Sequence, residues 1–214
     1  MPLIDIDISI NGSVLPDDVV VFLREADLRV NQFVRNSPIQ ITGFVPSDFV
    51  TIYRSLRAIA EANLAPGTLL CEWGSGFGVV ASLAAMLEFR VCGIEIDGPL
   101  VDASRRLAED LCLPVEFVHG SLIPAGGAAE AEEAYANASS EYFWLVTEAD
   151  DAYSELGLDL DDFDVVFAYP WPGEECLIEV LFEKYAAEGA LLLLYNQYNS
   201  VQLQRKVSKK SGGF

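Results

Sequence analysis

Glu72, Gly74, Ser75, Gly76 and Gly78 follow directly on the apolar run Leu69-Leu70-Cys71 and lead into a helix-like run, Val79 to Leu87. That order reads as strand, tight glycine turn, helix. Glycine is required where the backbone must turn sharply and approach a bound molecule more closely than a Cβ would permit. About twenty residues further on, where dinucleotide-type sheets carry an acid, a second apolar strand, Arg90-Val91-Cys92-Gly93-Ile94, ends in Glu95. A carboxylate at such a strand end can accept both hydroxyls of a ribose. Together the two features describe a site for a nucleoside.

The spacing separates kinds of nucleoside. A G-x-G-x-x-G turn lays a pyrophosphate on the helix N-terminus. Here the third glycine comes one position early and Glu72 precedes the set by two. A carboxylate in that place repels a pyrophosphate but suits a ligand carrying an ammonium group and a sulfonium. A NAD or FAD site, and a glycine turn with no ligand, are the alternatives. The pattern Glu72-x-Gly74-x-Gly76-x-Gly78 resembles the E/D-x-G-x-G-x-G signature of class I S-adenosylmethionine-dependent methyltransferases, and Glu95 matches that family's acidic residue on the ribose. The resemblance is most specific over Leu69 to Asp97. It implies S-adenosylmethionine as cofactor and S-adenosylhomocysteine as product. It also implies cofactor contacts from Glu72, Gly74, Ser75, Gly76, Gly78, Glu95, Ile96, Gly120, Ser121, Leu122 and Ala168. At the position of Ser121 the family often has an acid that reaches the adenine amino group. Serine can hydrogen-bond there but brings no charge.

A second stretch bears on the other reactant. Val165 to Ala168 reads as a buried parallel strand, and Tyr169-Pro170-Trp171-Pro172 as a rigid exposed loop at its end. Class I methyltransferases hold the acceptor at this place, so Tyr169 and Trp171 are the catalytic candidates. Tyr169, Pro170, Trp171 and Glu174 are the substrate-binding ones. The N-P-P-Y chemistry of amino methyltransferases does not carry over, because Ala168 has no amide to grip an amine. Glu174 and Glu175 can draw in an ammonium or guanidinium group, and equally suit the first turn of a helix running to Tyr185. His119 is the only histidine. Closing a strand beside the expected adenine site, it suits partial burial or a stack near the base better than general-base work.

Composition narrows the partners. There are 13 basic against 33 acidic residues, a formal net charge of −20, which repels phosphate backbones. Free nucleic acid is therefore a poor partner, and a basic protein or a small molecule a better one. A salt-adapted proteome would give the same excess without bearing on substrate. Hydrophobic content of 51% supports a packed core, yet no run reaches the ~18 apolar residues of a membrane span. The start Met1-Pro2-Leu3-Ile4-Asp5 lacks a basic and apolar leader, so a cytoplasmic protein is expected. Cys71, Cys92, Cys112 and Cys176 form no C-x-x-C, which fits a reducing compartment without structural zinc.

The elements that must position these residues follow from periodicity. Leu3 to Ile8 alternates apolar and acidic, and Asn11-Gly12 predicts a hairpin with Val14 and Leu15 returning. Pro16-Asp17-Asp18 opens a helix to about Val34, ended by Pro38. Ser47 or Asp48 caps a second helix to about Asn63. The segment Phe44 to Ser47 lies where many class I enzymes fold a stretch over the cofactor, or else simply caps that helix. A helix starts at Asp97, and Val115 to His119 is the third strand of the core. From Ile123 to Asp162 the sequence turns acidic, with Tyr135, Tyr142, Phe143, Trp144 and Tyr153. No lysine or arginine occurs between Arg106 and Lys184. This reads either as an acidic, aromatic lid for a cationic substrate or as a solvated flap. Leu191 to Tyr195 is the fifth core strand, Val201 to Val207 one antiparallel strand, and Lys209 and Lys210 belong to a basic tail.

The expected architecture is α/β: a doubly wound, Rossmann-like methyltransferase sheet of order 3-2-1-4-5 with an abbreviated C-terminus. It divides into a strand and helical extension over 1–66 and a cofactor-binding core over 67–214, with the insertion at about 123–162. The expected reaction is methyl transfer to a nucleophile, a protein lysine or a small molecule. A binding scaffold that keeps the fold without activity is the rival. A nicotinamide oxidoreductase would need G-x-G-x-x-G and usually a second domain, and the sequence shows neither.

Overall fold

The computed structural model describes residues 2–10, 12–36, 47–137 and 152–208. The chain opens with β1 (Leu3–Asp5) and helices α1 (Asp17–Asn36) and α2 (Phe49–Glu61). It then alternates β2 (Leu69–Trp73), α3 (Val79–Met86), β3 (Arg90–Glu95), α4 (Gly98–Asp110) and β4 (Val115–His119). Helices α5 (Ala128–Asn137) and α6 (Ala152–Leu156) and a 3₁₀ turn (Leu160–Asp162) precede β5 (Val165–Ala168), α7 (Glu175–Tyr185), β6 (Leu191–Tyr195) and β7 (Val201–Lys206).

The strands form a single sheet ordered β1-β7-β6-β5-β2-β3-β4. Strands β2 to β6 are mutually parallel, which is the expected 3-2-1-4-5 core. Side chains alternate between two apolar layers, as a period of two demands. Cys71, Ile94, Val166 and Leu192 face α7 and the 123–162 segment. Leu70, Val91, Val165 and Leu191 face α2 and α3. A strand covered on both sides reads as a continuous apolar run, and all five residues of β6 are buried. Helix α1 forms an outer layer, where Val19, Phe22, Ala26 and Val30 pack with Phe77, Leu83 and Leu107 of the α3–α4 side.

The expected hairpin at the N-terminus is not formed. β1 pairs antiparallel with β7, Ile4 opposite Arg205, and residues 12–15 are not strand; Asn11 lies outside the described residues. A two-stranded hairpin alone is marginal in water, whereas β7 offers a six-residue edge already anchored on β6. Because β7 is antiparallel to both neighbours, β1 runs in the same direction as the core strands. The outermost seat of the sheet is thus filled from the start of the chain.

Asp48 is the residue that caps α2. Its carboxylate accepts from the backbone N–H groups of Val50 and Thr51 at 3.1 and 3.2 Å and from the Thr51 hydroxyl at 2.6 Å. Burial pushes this carboxyl up, but the Thr51 and Val50 donors outweigh it and hold it below its usual value. A depressed folded-state value adds stability above the unfolded carboxylate range that is lost as pH falls through the folded value. Asp48→Ala is expected to cost about 1 kcal/mol at neutral pH and less under acid, as denaturant unfolding at pH 7 and pH 3 would show.

The 123–162 segment corrects one expectation. Tyr153 belongs to the core, 2% exposed, edge-on to Phe163 and donating its hydroxyl to the Leu122 carbonyl at 2.8 Å. An aromatic ring that seats an insertion on the sheet cannot also face solvent as a lid. Tyr142, Phe143, Trp144, Glu148, Asp150 and Asp151 lie outside the described residues, as do Pro38, Phe44 to Pro46 and Lys209 and Lys210; only the backbone of Tyr135 is described. Among the described residues no helix is long and apolar enough to cross a membrane.

Candidate functional site

The glycine turn after β2 is held in a left-handed conformation at three alternate residues, φ +67° at Gly74, +53° at Gly76 and +71° at Gly78. Gly74 and Gly78 have different reasons to be glycine. A Cβ on Gly78 would sit 2.4 Å from the Phe117 ring and 2.8 Å from Ser104, so Gly78 lets α3 close onto the sheet and α4. A Cβ on Gly74 would meet nothing within 4 Å. Gly74 faces open space.

Two buried carboxylates frame that turn. Glu72, 4% exposed, accepts from the Ala81 N–H at 2.7 Å and so meets the first turn of α3. Glu95, 8% exposed, accepts from Gly76 N–H at 2.7 Å with one oxygen, and from Ile96 and Asp97 N–H at 2.8 and 2.9 Å with the other. Asp97 then caps α4 through Leu100 N–H at 3.0 Å. Burial pushes both carboxyls above their usual range. At Glu72 the Ala81 N–H opposes and the charge of Glu95 adds to the rise; at Glu95 the three N–H groups oppose it.

A raised folded-state value has a definite sign: ionising Glu72 costs folding free energy that grows as pH rises above the unfolded carboxylate range. Glu72→Gln keeps an oxygen for Ala81 N–H and removes the charge. We expect it to stabilise the ligand-free protein at pH 8 by about 1 kcal/mol, a rise in Tm of about 2–4 °C, with little gain at pH 4.5. Thermal unfolding at the two pH values checks this.

Above the turn lies a cavity of about 440 Å³, opening at the C-terminal edge of the parallel strands. Glu72, Gly74, Ser75, Gly76, Glu95, Ile96, Leu122, Ala168, Tyr169, Pro170, Trp171 and Glu174 all line it. The structure therefore brings together most of the residues singled out in the sequence. Gly78, Gly120 and Ser121 do not line it. Gly78 serves packing, Gly120 donates its N–H to the Glu95 carbonyl at 2.9 Å, and Ser121 Oγ accepts from Ile123 N–H at 3.2 Å, turned onto its own loop. His119 is exposed rather than partly buried, its Nε2 2.9 Å from the Ile96 carbonyl oxygen, because it ends the edge strand β4.

Several wall residues were not legible in the sequence. Phe49, at the start of α2, and Gln197, just after β6, also line the cavity. The position of Gln197 at the end of a parallel strand was a usable signal, since those ends share one edge. Tyr195 joins these parts: its hydroxyl accepts from Asp48 N–H at 3.1 Å and donates to Asn199 Oδ1 at 2.8 Å, and its ring meets Tyr169 edge-on at 4.9 Å. Ser75 is 4% exposed, and its hydroxyl has no partner among the described residues. The charge of the wall is one-sided. Glu72, Glu95, Asp97, Glu174 and Glu175 line it, and none of the described lining residues is Lys, Arg or His.

No protein-family model matches the chain, and no curated protein matches its sequence. Among solved structures it is similar to a methyltransferase from Geobacter sulfurreducens, with 17% identity, a TM-score of 0.52 and coverage of 92% of this chain and 93% of that one. It is likewise similar to an RNA methyltransferase from Salinibacter ruber in complex with S-adenosyl-L-homocysteine, with 17% identity, a TM-score of 0.51 and coverage of 79% and 98%. At such identity the likeness concerns fold, and chemistry has to be argued from the residues. With its 3-2-1-4-5 parallel core and glycine turn after the first core strand, the chain carries the fold of the class I S-adenosylmethionine-dependent methyltransferases.

Proposed function

We propose that the cavity binds S-adenosylmethionine and that the protein transfers its methyl group to a nucleophile on a protein lysine or a small molecule. The observation that carries this reading is the wall above the glycine turn. Gly74 holds a left-handed backbone with open space where a Cβ would be, the adjacent Ser75 hydroxyl lacks a partner among the described residues, and Glu95 is fixed against the turn by three N–H groups. The cavity falls within the range of small-molecule sites. Its carboxylates suit a sulfonium and an ammonium and disfavour a pyrophosphate.

In this reading Glu95 accepts a ribose hydroxyl with the lone pair that its three N–H donors leave on Oε2. Ile96 and Leu122 flank the adenine, while Gly120 and Ser121 shape the loop that carries Leu122. Gly74, Ser75 and Gly76 approach the ligand through the backbone, Gly78 seats the helix behind them, Glu72 supplies negative potential and Ala168 floors the transfer position. The bound cofactor would supply an electrophilic methyl carbon. Tyr169, Pro170 and Trp171 align the acceptor and exclude water, which is most of what an in-line transfer asks of a protein. Residues 67–214 form the cofactor-binding core, and 1–66 an extension whose Ser47 and Phe49 shape the acceptor side.

Calorimetric titration with S-adenosylmethionine, S-adenosylhomocysteine and NAD tests the reading. Micromolar binding of both adenosyl ligands with NAD silent is the expected result. No adenosyl binding by well-folded protein would overturn it and leave the fold as a scaffold.

A further inference from the structure

The acceptor end of the cavity has a chemistry of its own. Pro170, Trp171 and Pro172 form one wall and Glu174 the corner where α7 begins. Glu174 is 4% exposed, and its Oε2 accepts from the Trp171 backbone N–H at 3.2 Å, so the carboxylate is tied to the backbone of the residue that carries the indole. Glu175 lines the same end and accepts from the Gly173 N–H at 2.7 Å. Tyr169, backed by the buried Tyr195, supplies a second aromatic ring. A buried carboxylate beside two aromatic rings, in a cavity whose described lining contains no basic side chain, attracts a cation by charge and by ring quadrupole. It repels phosphate and carboxylate.

On the methyltransferase reading given above, we propose that the acceptor is an alkyl amine that enters as its ammonium ion between Trp171 and Tyr169 and is held by Glu174. Methyl transfer consumes a nitrogen lone pair, so the ammonium must first give up a proton. Glu174 takes it: R–NH₃⁺ and the carboxylate become R–NH₂ and the carboxylic acid. Where the bound ligands exclude water, two neutral groups cost less than two ions held apart. The freed lone pair then forms the N–C bond as the C–S bond breaks, its electron pair remaining on sulfur. The amine can belong to a lysine side chain or to a free small molecule, and both present the same group.

Calorimetry on protein saturated with S-adenosylhomocysteine tests this. The probes are butylamine, the lysine model Nα-acetyl-lysine methylamide, butanol and a short RNA oligonucleotide, against wild type, Glu174→Gln and the exposed control Glu132→Gln. Glutamine keeps an oxygen for the Trp171 N–H, so Glu174→Gln should retain its melting temperature and its affinity for S-adenosylhomocysteine. We expect at least one amine to bind wild type and the Glu132→Gln control alike, and to bind Glu174→Gln at least tenfold more weakly. Preference for butylamine or for the lysine model assigns the source. RNA or butanol binding without amine binding, amine affinity equal in all three proteins, or no probe binding the saturated complex would each overturn the proposal. Failure of S-adenosylhomocysteine itself to bind would instead overturn the methyltransferase reading.

Discussion

Glu95→Ala is expected to weaken S-adenosylhomocysteine binding by more than about a hundredfold, which calorimetry against wild type would read directly. Two effects combine. The substitution removes the acceptor proposed for a ribose hydroxyl, a charge-assisted hydrogen bond being worth about 1.5–3 kcal/mol, where about 2.7 kcal/mol is already a hundredfold. It also strips the acceptor from the N–H groups of Gly76, Ile96 and Asp97. The Gly76 bond is buried, so its donor loses a partner without gaining water, and the glycine turn loosens where the ligand must touch it. Melting temperature should fall as well. A conservative Glu95→Gln should also bind poorly, because its amide can present only one oxygen to three N–H donors and places an NH₂ where an acceptor is needed. Affinity within twofold of wild type in Glu95→Ala would show that the ligand does not meet this carboxylate.

Gly78→Ala should be strongly destabilising. Its Cβ would lie 2.4 and 2.7 Å from two atoms of the Phe117 ring and 2.8 Å from the Ser104 Cβ, with the backbone at φ +71°. The left-handed backbone costs about 1–2 kcal/mol for a non-glycine residue, and overpacking a filled core about 1–3 kcal/mol more. The sum is a large share of the about 5–15 kcal/mol by which domains are stable. Gly74→Ala separates the two contributions. With nothing within 4 Å of its Cβ, it should cost only the backbone part, yet its methyl group projects into the proposed cofactor space and should weaken S-adenosylhomocysteine binding. Denaturant unfolding of both variants, together with Phe117→Leu in the Gly78→Ala background, checks the assignment. Phe117→Leu should recover part of the loss. Equal destabilisation by the two glycine substitutions would refute the packing argument.

These two predictions show why a one-letter pattern underdetermines a site. Gly74, Gly76 and Gly78 look equivalent in the sequence, and all three take a positive φ. Only the neighbours of their missing Cβ atoms distinguish a glycine that leaves room above a cavity from one that lets Phe117 and Ser104 close in. Ser121 is a similar case. Its place after the third core strand suggested a ligand contact, and its hydroxyl instead accepts from Ile123 within the loop.

What the sequence by itself determined is what depends on near neighbours. The runs Leu69–Trp73, Arg90–Glu95 and Leu191–Tyr195 declare buried strands because both faces must be apolar. Asp97 and Pro99 declare a helix start because caps act within a turn. Glu72, the glycine turn and Glu95 share one edge because parallel strands joined by right-handed crossovers end together. The tertiary structure decided whatever depends on residues far apart in the chain. β1 left its expected hairpin for β7 because an anchored edge offers more ladder bonds than a two-stranded turn. Tyr195 reaches Asp48 across 147 positions. Through that contact the start of α2, the β6–β7 loop and Tyr169 become one wall. No periodicity reports such a contact, since pattern shows which face of an element is apolar but not which distant element will cover it.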